Sequence, residues 1–144
     1  MILVMGSILS ATSAPSQFQR NPVMGITILL ADSTASVRQM ERTLLEKESD
    51  IEVVGEVPDE LNALMLISSV KPQIVLTEFD ARSPEKTFAK QVKSQNPKTK
   101  VLGVTELKGR YVKKFLRIFG VDELLDRKDL ENKLIRTVRL VAHA

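Results

Sequence analysis

Hydrophobic and polar positions follow two alternating patterns from residue 24 onward. The segment "ITILLAD" (26–32) is a near-continuous apolar run, which is typical of a strand buried on both faces of a sheet. In the segment that follows, Val37, Met40, Leu44 and Leu45 recur at helical spacing. A short apolar run followed by a longer amphipathic segment then recurs along the chain, which predicts successive βα units.

Five such units are predicted in about 120 residues. The strands are predicted at 26–32, 51–57, 73–78, 100–106 and 121–126, and the helices at 34–48, 59–70, 84–95, 109–120 and 129–142. Ser33 or Thr34 can cap the first helix, Ser83 and Pro84 fit the start of the third, and Gly120 fits the end of the fourth. Right-handed crossovers then predict an α/β fold: a flavodoxin-like, doubly wound, five-stranded parallel sheet of order 2-1-3-4-5 with helices on both faces.

The first 23 residues differ from the rest, because they are rich in Ser, Ala and Pro and carry one charge, Arg20. A secretory signal is not expected, since no base precedes the apolar stretch and Gly6 and Ser7 interrupt it. We expect residues 1–23 to be a flexible tail or an upstream-start extension, and residues 24–144 to be one domain. No apolar run approaches the roughly 18 residues of a membrane span, so a cytoplasmic protein is expected.

Composition excludes several classes of enzyme. The 144-residue chain has no cysteine and a single histidine, His143, so thiol, Ser-His and multi-histidine metal chemistry are not expected. The glycine-rich phosphate cradles of dinucleotide- and NTP-binding proteins are missing. Net charge is +3 but uneven: residues 24–60 carry nine acids and three bases, and residues 101–144 carry ten bases and six acids. This asymmetry predicts an acidic partner, or a homodimer that pairs the two halves.

Candidate chemistry lies at the carboxyl ends of the predicted strands, which converge on one crevice in such a sheet. The polar residues there are Asp32 and Ser33, Glu78 and Asp80, Thr105 and Glu106, and Asp126, Arg127 and Lys128. Together they could bind a divalent ion and a phosphoryl group. They could equally be ordinary polar residues in solvent, and spacing alone does not separate these two interpretations.

A resemblance to a known family covers the chain from Gly25 to about Ala142. The stretches "ITILLADSTASVRQMERTLLEKESDIEVVGE", "LNALMLISSVKPQIVLTE", "KVLGVTE" and "FGVDELLDRKDL" carry it. They resemble the response-regulator receiver domain of the CheY-like superfamily, in particular the NarL/LuxR type. The resemblance implies a role in two-component or phosphorelay signal transduction, exercised by binding proteins such as a sensor kinase or an output or regulatory protein rather than by an enzymatic activity.

The resemblance also indicates an altered phosphorylation site. The acidic pair falls on Asp32 and Ser33, the phosphoacceptor on Glu78, the hydroxyl on Thr105, the lysine on Arg127 with Lys128 beside it, and the switch aromatic on Leu124. The second acid, the acceptor aspartate, the lysine and the aromatic are therefore replaced, and the family's "MPG" loop is missing. By the resemblance, Asp32 and Glu78 would be the remaining metal ligands.

These departures predict that the site does not turn over. Ser33 removes a charge, and Glu78 extends its carboxylate by one methylene, about 1.5 Å. Mg²⁺ demands near-ideal octahedral geometry, so we expect it to bind weakly or not at all. Without the metal ion, little positive charge remains to neutralise the phosphoryl group during transfer. Glu78 should therefore not be efficiently phosphorylated. Its fixed charge could instead imitate a phosphorylated state, or merely cap the crevice.

Asp80 is the alternative acceptor, because "DARSP" matches the family's D-x-R-x-P spacing. That alignment would move Glu78 into the sheet, where an unpaired carboxylate is costly, so Glu78 is preferred at the acceptor position. The preferred interpretation is a stand-alone pseudo-receiver, meaning a receiver domain that is not phosphorylated. Two alternatives to it remain open. The protein could be a phosphorylatable regulator that uses Asp80 or Glu78, or a fragment of a DNA-binding regulator that lacks its output domain.

A basic segment in the predicted fourth helix is the candidate partner surface. Its residues are Lys108, Arg110, Tyr111, Lys113, Lys114 and Arg117. Such a charge run is commonly a solvated face. The resemblance, however, implies that a protein-binding face is formed by the predicted fourth helix (109–120), the fifth strand with Leu124, and the fifth helix (129–142). Nucleic acid is not expected as a partner, because the overall charge is modest and no recognition motif follows.

Overall fold

The computed structural model describes residues 25–79, 88–106, 116 and 118–144. Its strands are β1 (Ile26–Ala31), β2 (Ile51–Val57), β3 (Ile74–Glu78), β4 (Lys100–Thr105) and β5 (Glu123–Asp126). Its helices are α1 (Ala35–Glu46), α2 (Glu60–Val70), α3 (Phe88–Gln95) and the C-terminal α4 (Leu130–Ala142), with a 3₁₀ turn at Arg127–Asp129. Residues 116, 118 and 119 are also helical.

The five strands form one parallel sheet of order β2-β1-β3-β4-β5, which confirms the predicted flavodoxin-like fold. The apolar run of β1 faces both layers: Ile28 and Leu30 lie in the core with α1 and α4, whereas Leu29 lies in the core with α2 and α3. All three side chains are fully buried. Burial on both faces therefore explains why this strand has no polar alternation.

The sequence-based element boundaries hold to within a few residues wherever they can be compared. Gly120 adopts a φ of 77°, the left-handed conformation that ends a helix, as predicted. Thr34 occupies the N-cap of α1 but makes no side-chain cap hydrogen bond, so the expected hydroxyl cap is wrong. The Thr34 amide itself donates a hydrogen bond to the Asp32 carboxylate at 2.9 Å. The 3₁₀ turn after β5 was not anticipated.

Several sequence-based predictions fall outside the described residues. They concern the N-terminal tail, the caps at Ser83 and Pro84, Asp80, and the basic segment at 108–117 apart from residue 116. Among the described helices, none combines the length and the apolar content that a bilayer span requires.

A close approach at Gly103 fixes how β4 meets its neighbours. A Cβ added at Gly103 would lie 2.9 Å from Leu124 Cδ2 and 2.9 Å from Phe79 Cβ. Phe79 is buried and its ring meets Phe119 edge to face, with centroids 5.6 Å apart. Leu124 is half-buried in the same core rather than fully presented to solvent. The glycine therefore leaves room for the side chains that close this end of the sheet.

We expect Gly103→Ala to destabilise the fold, because the new methyl group would force Leu124 and Phe79 from their positions. Overpacking of this kind costs about 1–3 kcal/mol. The control is Gly25→Ala, since a Cβ there meets no atom within 4 Å. Urea denaturation should show a lower midpoint for Gly103→Ala and little change for Gly25→Ala. Equal midpoints for both variants would contradict the packing described at this strand.

Candidate functional site

Strand register brings the predicted polar residues to one edge of the sheet. Ala31 of β1 pairs with Thr77 of β3, so Asp32 and Glu78, the next residue in each strand's direction, emerge side by side. Thr105 ends β4 opposite Asp126 of β5. Because all strands are parallel, these side chains share the carboxyl edge, as the sequence predicts.

The Glu78 carboxylate is the centre of this group, and both of its oxygens face donors from the chain. Ser33 Oγ donates a hydrogen bond to Glu78 Oε1 at 3.0 Å. Arg127 Nη2 lies 3.8 Å from Glu78 Oε2. The Glu78 side chain is 42% exposed, so the ion pair is partly screened by solvent. Ser33, which the resemblance aligns with the second acid, thus donates a hydrogen bond to Glu78.

Arg127, rather than Lys128, faces the site. Arg127 Nε lies 3.6 Å from Glu106 Oε2, and this nitrogen is buried without a hydrogen-bond partner. The Lys128 side chain instead pairs with Asp126, with its Nζ 3.6 Å from Asp126 Oδ2. The 3₁₀ turn that follows β5 produces this difference, because it rotates successive side chains away from each other.

Asp32 is deeply buried, at 1% exposure, and only partly satisfied. Its Oδ1 accepts the Thr34 amide, and its carbonyl oxygen accepts Arg38 Nη1 at 2.6 Å. Its Oδ2 is buried without a hydrogen-bond partner. Burial is the largest cause of a raised Asp32 pKa, which the Thr34 amide opposes.

Glu41 is a second buried acid that the sequence analysis did not single out. It lies in α1 with 1% exposure, and its Oε1 has no hydrogen-bond partner. Burial, followed by the charge of Asp32, raises the pKa of Glu41 to about 8, so its carboxyl is mostly protonated at neutral pH. The helical spacing contained a signal, because Glu41 is four residues after Val37 and four before Leu45, on the inward face.

Within the described residues, no three carboxylate, imidazole or thiolate side chains group as a metal site. Asp32 Oδ2 is a free oxygen, but Glu78 directs its oxygens to Ser33 and Arg127. A divalent ion coordinated by Glu78 would lie close to the Arg127 guanidinium, whose charge would oppose it.

We expect Glu41→Gln to stabilise the protein at neutral pH. Between the ordinary pKa of 4.5 and the folded value of about 8, the unfolded chain binds fewer protons than the folded chain, so stability falls as pH rises. Removing this acid should add roughly 2–3 kcal/mol at pH 7 and nothing below about pH 4. The other charges that act on Glu41 come from Asp32, Arg127, Arg38 and Glu78.

Thermal unfolding across this pH range measures the effect. Glu46→Gln is the matched control, since Glu46 lies in the same helix with its side chain 49% exposed beside Arg42. The difference in melting temperature between Glu41→Gln and the native protein should increase from pH 4 to pH 8. A constant gap, or a gap equal to that of the control, would show that Glu41 does not titrate as an isolated buried acid.

The sequence matches only part of the curated proteins to which it is similar. No protein-family model matches the sequence. A protein-glutamate methylesterase/protein-glutamine glutaminase of Rhodopseudomonas palustris is 32% identical over 73 residues, 50% of this chain and 20% of that protein. The chain thus spans about a fifth of the length of the curated relatives it matches.

Two solved receiver structures align with most of the chain. The response regulator domain of Thermotoga maritima CheB aligns at a TM-score of 0.71 with 18% identity, over 83% of this chain and 98% of that one. The signal receiver domain of NarL from Mycobacterium tuberculosis aligns at 0.73 with 20% identity, over the same fractions. At these identities the likeness establishes the fold alone, and the β2-β1-β3-β4-β5 strand order agrees with it.

Proposed function

We propose that the protein is an atypical receiver of two-component or phosphorelay signalling in the cytoplasm that acts by protein–protein interaction and is not phosphorylated. The observation that carries this proposal is the pairing of both Glu78 oxygens with Ser33 and Arg127. A phosphoacceptor must present a carboxylate oxygen to the donor phosphorus, with a metal beside it to neutralise charge. Here the same oxygens already face a hydroxyl and a guanidinium of the chain.

The pairing also supports a fixed state of the site. Receiver-type switching would require a change in charge at the acceptor, whereas the Glu78 carboxylate and the Arg127 guanidinium form a permanent pair of opposite charges. Leu124 stands at the position of the switch aromatic and packs beside Phe79 over Gly103. We therefore propose that the domain presents one surface continuously to its partner, with Asp32, Ser33, Glu78, Thr105 and Arg127 as structural remnants of the site.

We expect the native protein to remain unmodified by acetyl phosphate, with its intact mass unchanged, and amides around Asp32, Glu78 and Thr105 to be unmoved by low-millimolar Mg²⁺ in NMR spectra. Restoring the family set with the triple change Ser33→Asp, Glu78→Asp and Arg127→Lys should produce both responses, because it returns two short carboxylates and a flexible amine to the crevice. Replacing Ser33→Asp with Ser33→Asn in the same triple variant is the control, because Asn has nearly the same shape as Asp but no charge.

Labelling of the native protein distinguishes the alternatives. A labile adduct that Asp80→Asn abolishes and Glu78→Gln leaves intact would identify Asp80 as a working acceptor and overturn the proposal. An adduct lost in Glu78→Gln alone would show that the site tolerates the longer acid. Saturable Mg²⁺ shifts in the native protein would likewise contradict the proposed loss of the metal.

The partner face in this proposal combines the basic segment with the C-terminal helix. Lys133, Arg136 and Leu140 of α4 share one exposed stripe at spacings of three and four. This stripe presents positive charge and the apolar side chain of Leu140, which is 63% exposed. An acidic protein surface is the complementary partner.

We expect Arg110→Ala, Arg117→Ala and Tyr111→Ala to weaken binding to a partner recovered by affinity purification, with little change in melting temperature. Arg and Tyr side chains commonly anchor interfaces, so Tyr111→Ala should reduce affinity more than Lys113→Ala or Lys114→Ala. The control is Lys98→Ala, an exposed lysine after α3. Unchanged affinity and salt dependence after charge reversal of residues 108–117 would place the interface elsewhere.

A further inference from the structure

An exposed apolar stripe runs along the outer face of α2. Leu61 is 70% exposed and Met65, one turn later, is 69% exposed. The opposite face of the helix is buried through Ala63 and Ile67. The other exposed positions of this helix are polar. Two large, adjacent, solvated apolar side chains among them mark a surface that is suited to contact.

Acids surround the amino-terminal end of this stripe. Residues 48–70 contain six acids and no base, and Asp59 and Glu60 stand at the start of α2. Asp59 also caps the helix by accepting the Asn62 amide at 2.8 Å. The acids at 48, 50 and 56 are paired with Arg139, Arg38 and Arg42, so they stabilise the fold rather than extend the acidic end of α2.

We propose that this α2 face, defined by Leu61 and Met65 with Asp59 and Glu60 at its end, is a docking surface for a basic amphipathic segment of another protein. The thioether of Met65 adapts to varied apolar surfaces, and Leu61 supplies a branched contact one turn away. Lys or Arg side chains flanking the partner's apolar residues would meet Asp59 and Glu60. The chemistry of the face therefore selects both an apolar stripe and positive charge.

The charge of the face argues against other occupants. A second copy docking through the same face would bring Asp59 and Glu60 near their own equivalents or their neighbours. An anionic lipid surface would be repelled by the same acids. A basic protein segment removes both penalties while covering Leu61 and Met65.

This inference does not rest on the proposed loss of phosphorylation. The face belongs to the α2–α3 layer, opposite the layer of α1 and α4. Its amino-terminal end nevertheless adjoins the candidate site, because Glu60 lines a small cavity together with Thr77, Glu78 and Phe79. A partner bound to α2 would thus lie beside the candidate site, and its binding would not require the basic segment at 108–117.

The test uses the full chain and two synthetic helical peptides. One has leucines on one face and Lys and Arg on its flanks, and the other replaces every base with Glu. The Met65 methyl group, labelled with ¹³C, reports binding together with the amides of residues 59–66. The basic peptide should give saturable shifts there, and the acidic peptide should give none.

Variants then assign the contact. The double change Leu61→Gln and Met65→Gln should weaken binding at least about tenfold, since each lost apolar contact contributes on the order of that factor. Asp59→Asn should reduce affinity and its salt dependence while keeping the helix cap, because Asn caps as well as Asp. Ile118→Gln, which removes a large apolar side chain that is 58% exposed and lies outside α2, should bind like the native protein.

Several results would overturn the proposal. They are the absence of saturable shifts at residues 59–66, equal binding of the double variant, and shifts that map to α4. Concentration-dependent self-association that the double variant abolishes would assign the face to a second copy. Tighter binding to vesicles of phosphatidylcholine and phosphatidylglycerol than to the basic peptide would assign it to a membrane.

Discussion

The pairing of β1 with β3 is the constraint on which the candidate site depends. Ala31 lies opposite Thr77, and Thr77 Oγ1 donates a buried hydrogen bond to the Ala31 carbonyl at 3.0 Å. This side-chain bond joins the two central strands one residue before Asp32 and Glu78 emerge. A slip of one residue would break this bond and exchange the close-packed side chains of the two layers, so side-chain packing and the Thr77 hydroxyl keep the register fixed. The two acids consequently stay adjacent whether or not they perform chemistry.

Adjacent acids require compensation, and the chain provides it from its own side chains. Glu78 faces the hydroxyl of Ser33 and the guanidinium of Arg127, and Arg38 donates to the carbonyl of Asp32. Burial favours the protonated form of Glu41, which limits the negative charge near Asp32 at neutral pH. In the proposed function, the Arg127 guanidinium and the proton on Glu41 reduce the negative charge of the site. A receiver with two aspartates would rely on a divalent ion for this.

The fold was predictable because its signals are redundant, whereas the site was only partly predictable. Five apolar runs separated by amphipathic segments admit few topologies, and the chirality of crossovers selects the observed order. The positions of Asp32, Glu78 and Thr105 followed from strand ends alone. The Ser33–Glu78 hydrogen bond and the orientation of Arg127 did not, because they depend on rotamers and on a 3₁₀ turn that has no strong local signal. Glu41 was missed because a charged residue on an inward face contradicts the usual pattern of burial.

The buried charged groups near the candidate site also limit which changes that site can undergo. Asp32 Oδ2, Glu41 Oε1 and Arg127 Nε are all buried without hydrogen-bond partners, and their charges act on one another. Leaving such groups unsatisfied costs free energy, so the edge of the sheet carries a local penalty that the apolar cores on both faces must offset. A binding partner that acts at the surface need not relieve this penalty, whereas chemistry at Glu78 would disturb the neighbours that keep it small. In the proposed function, the arrangement therefore favours a domain that binds its partner through its surface, with the candidate site serving as a fixed part of the scaffold.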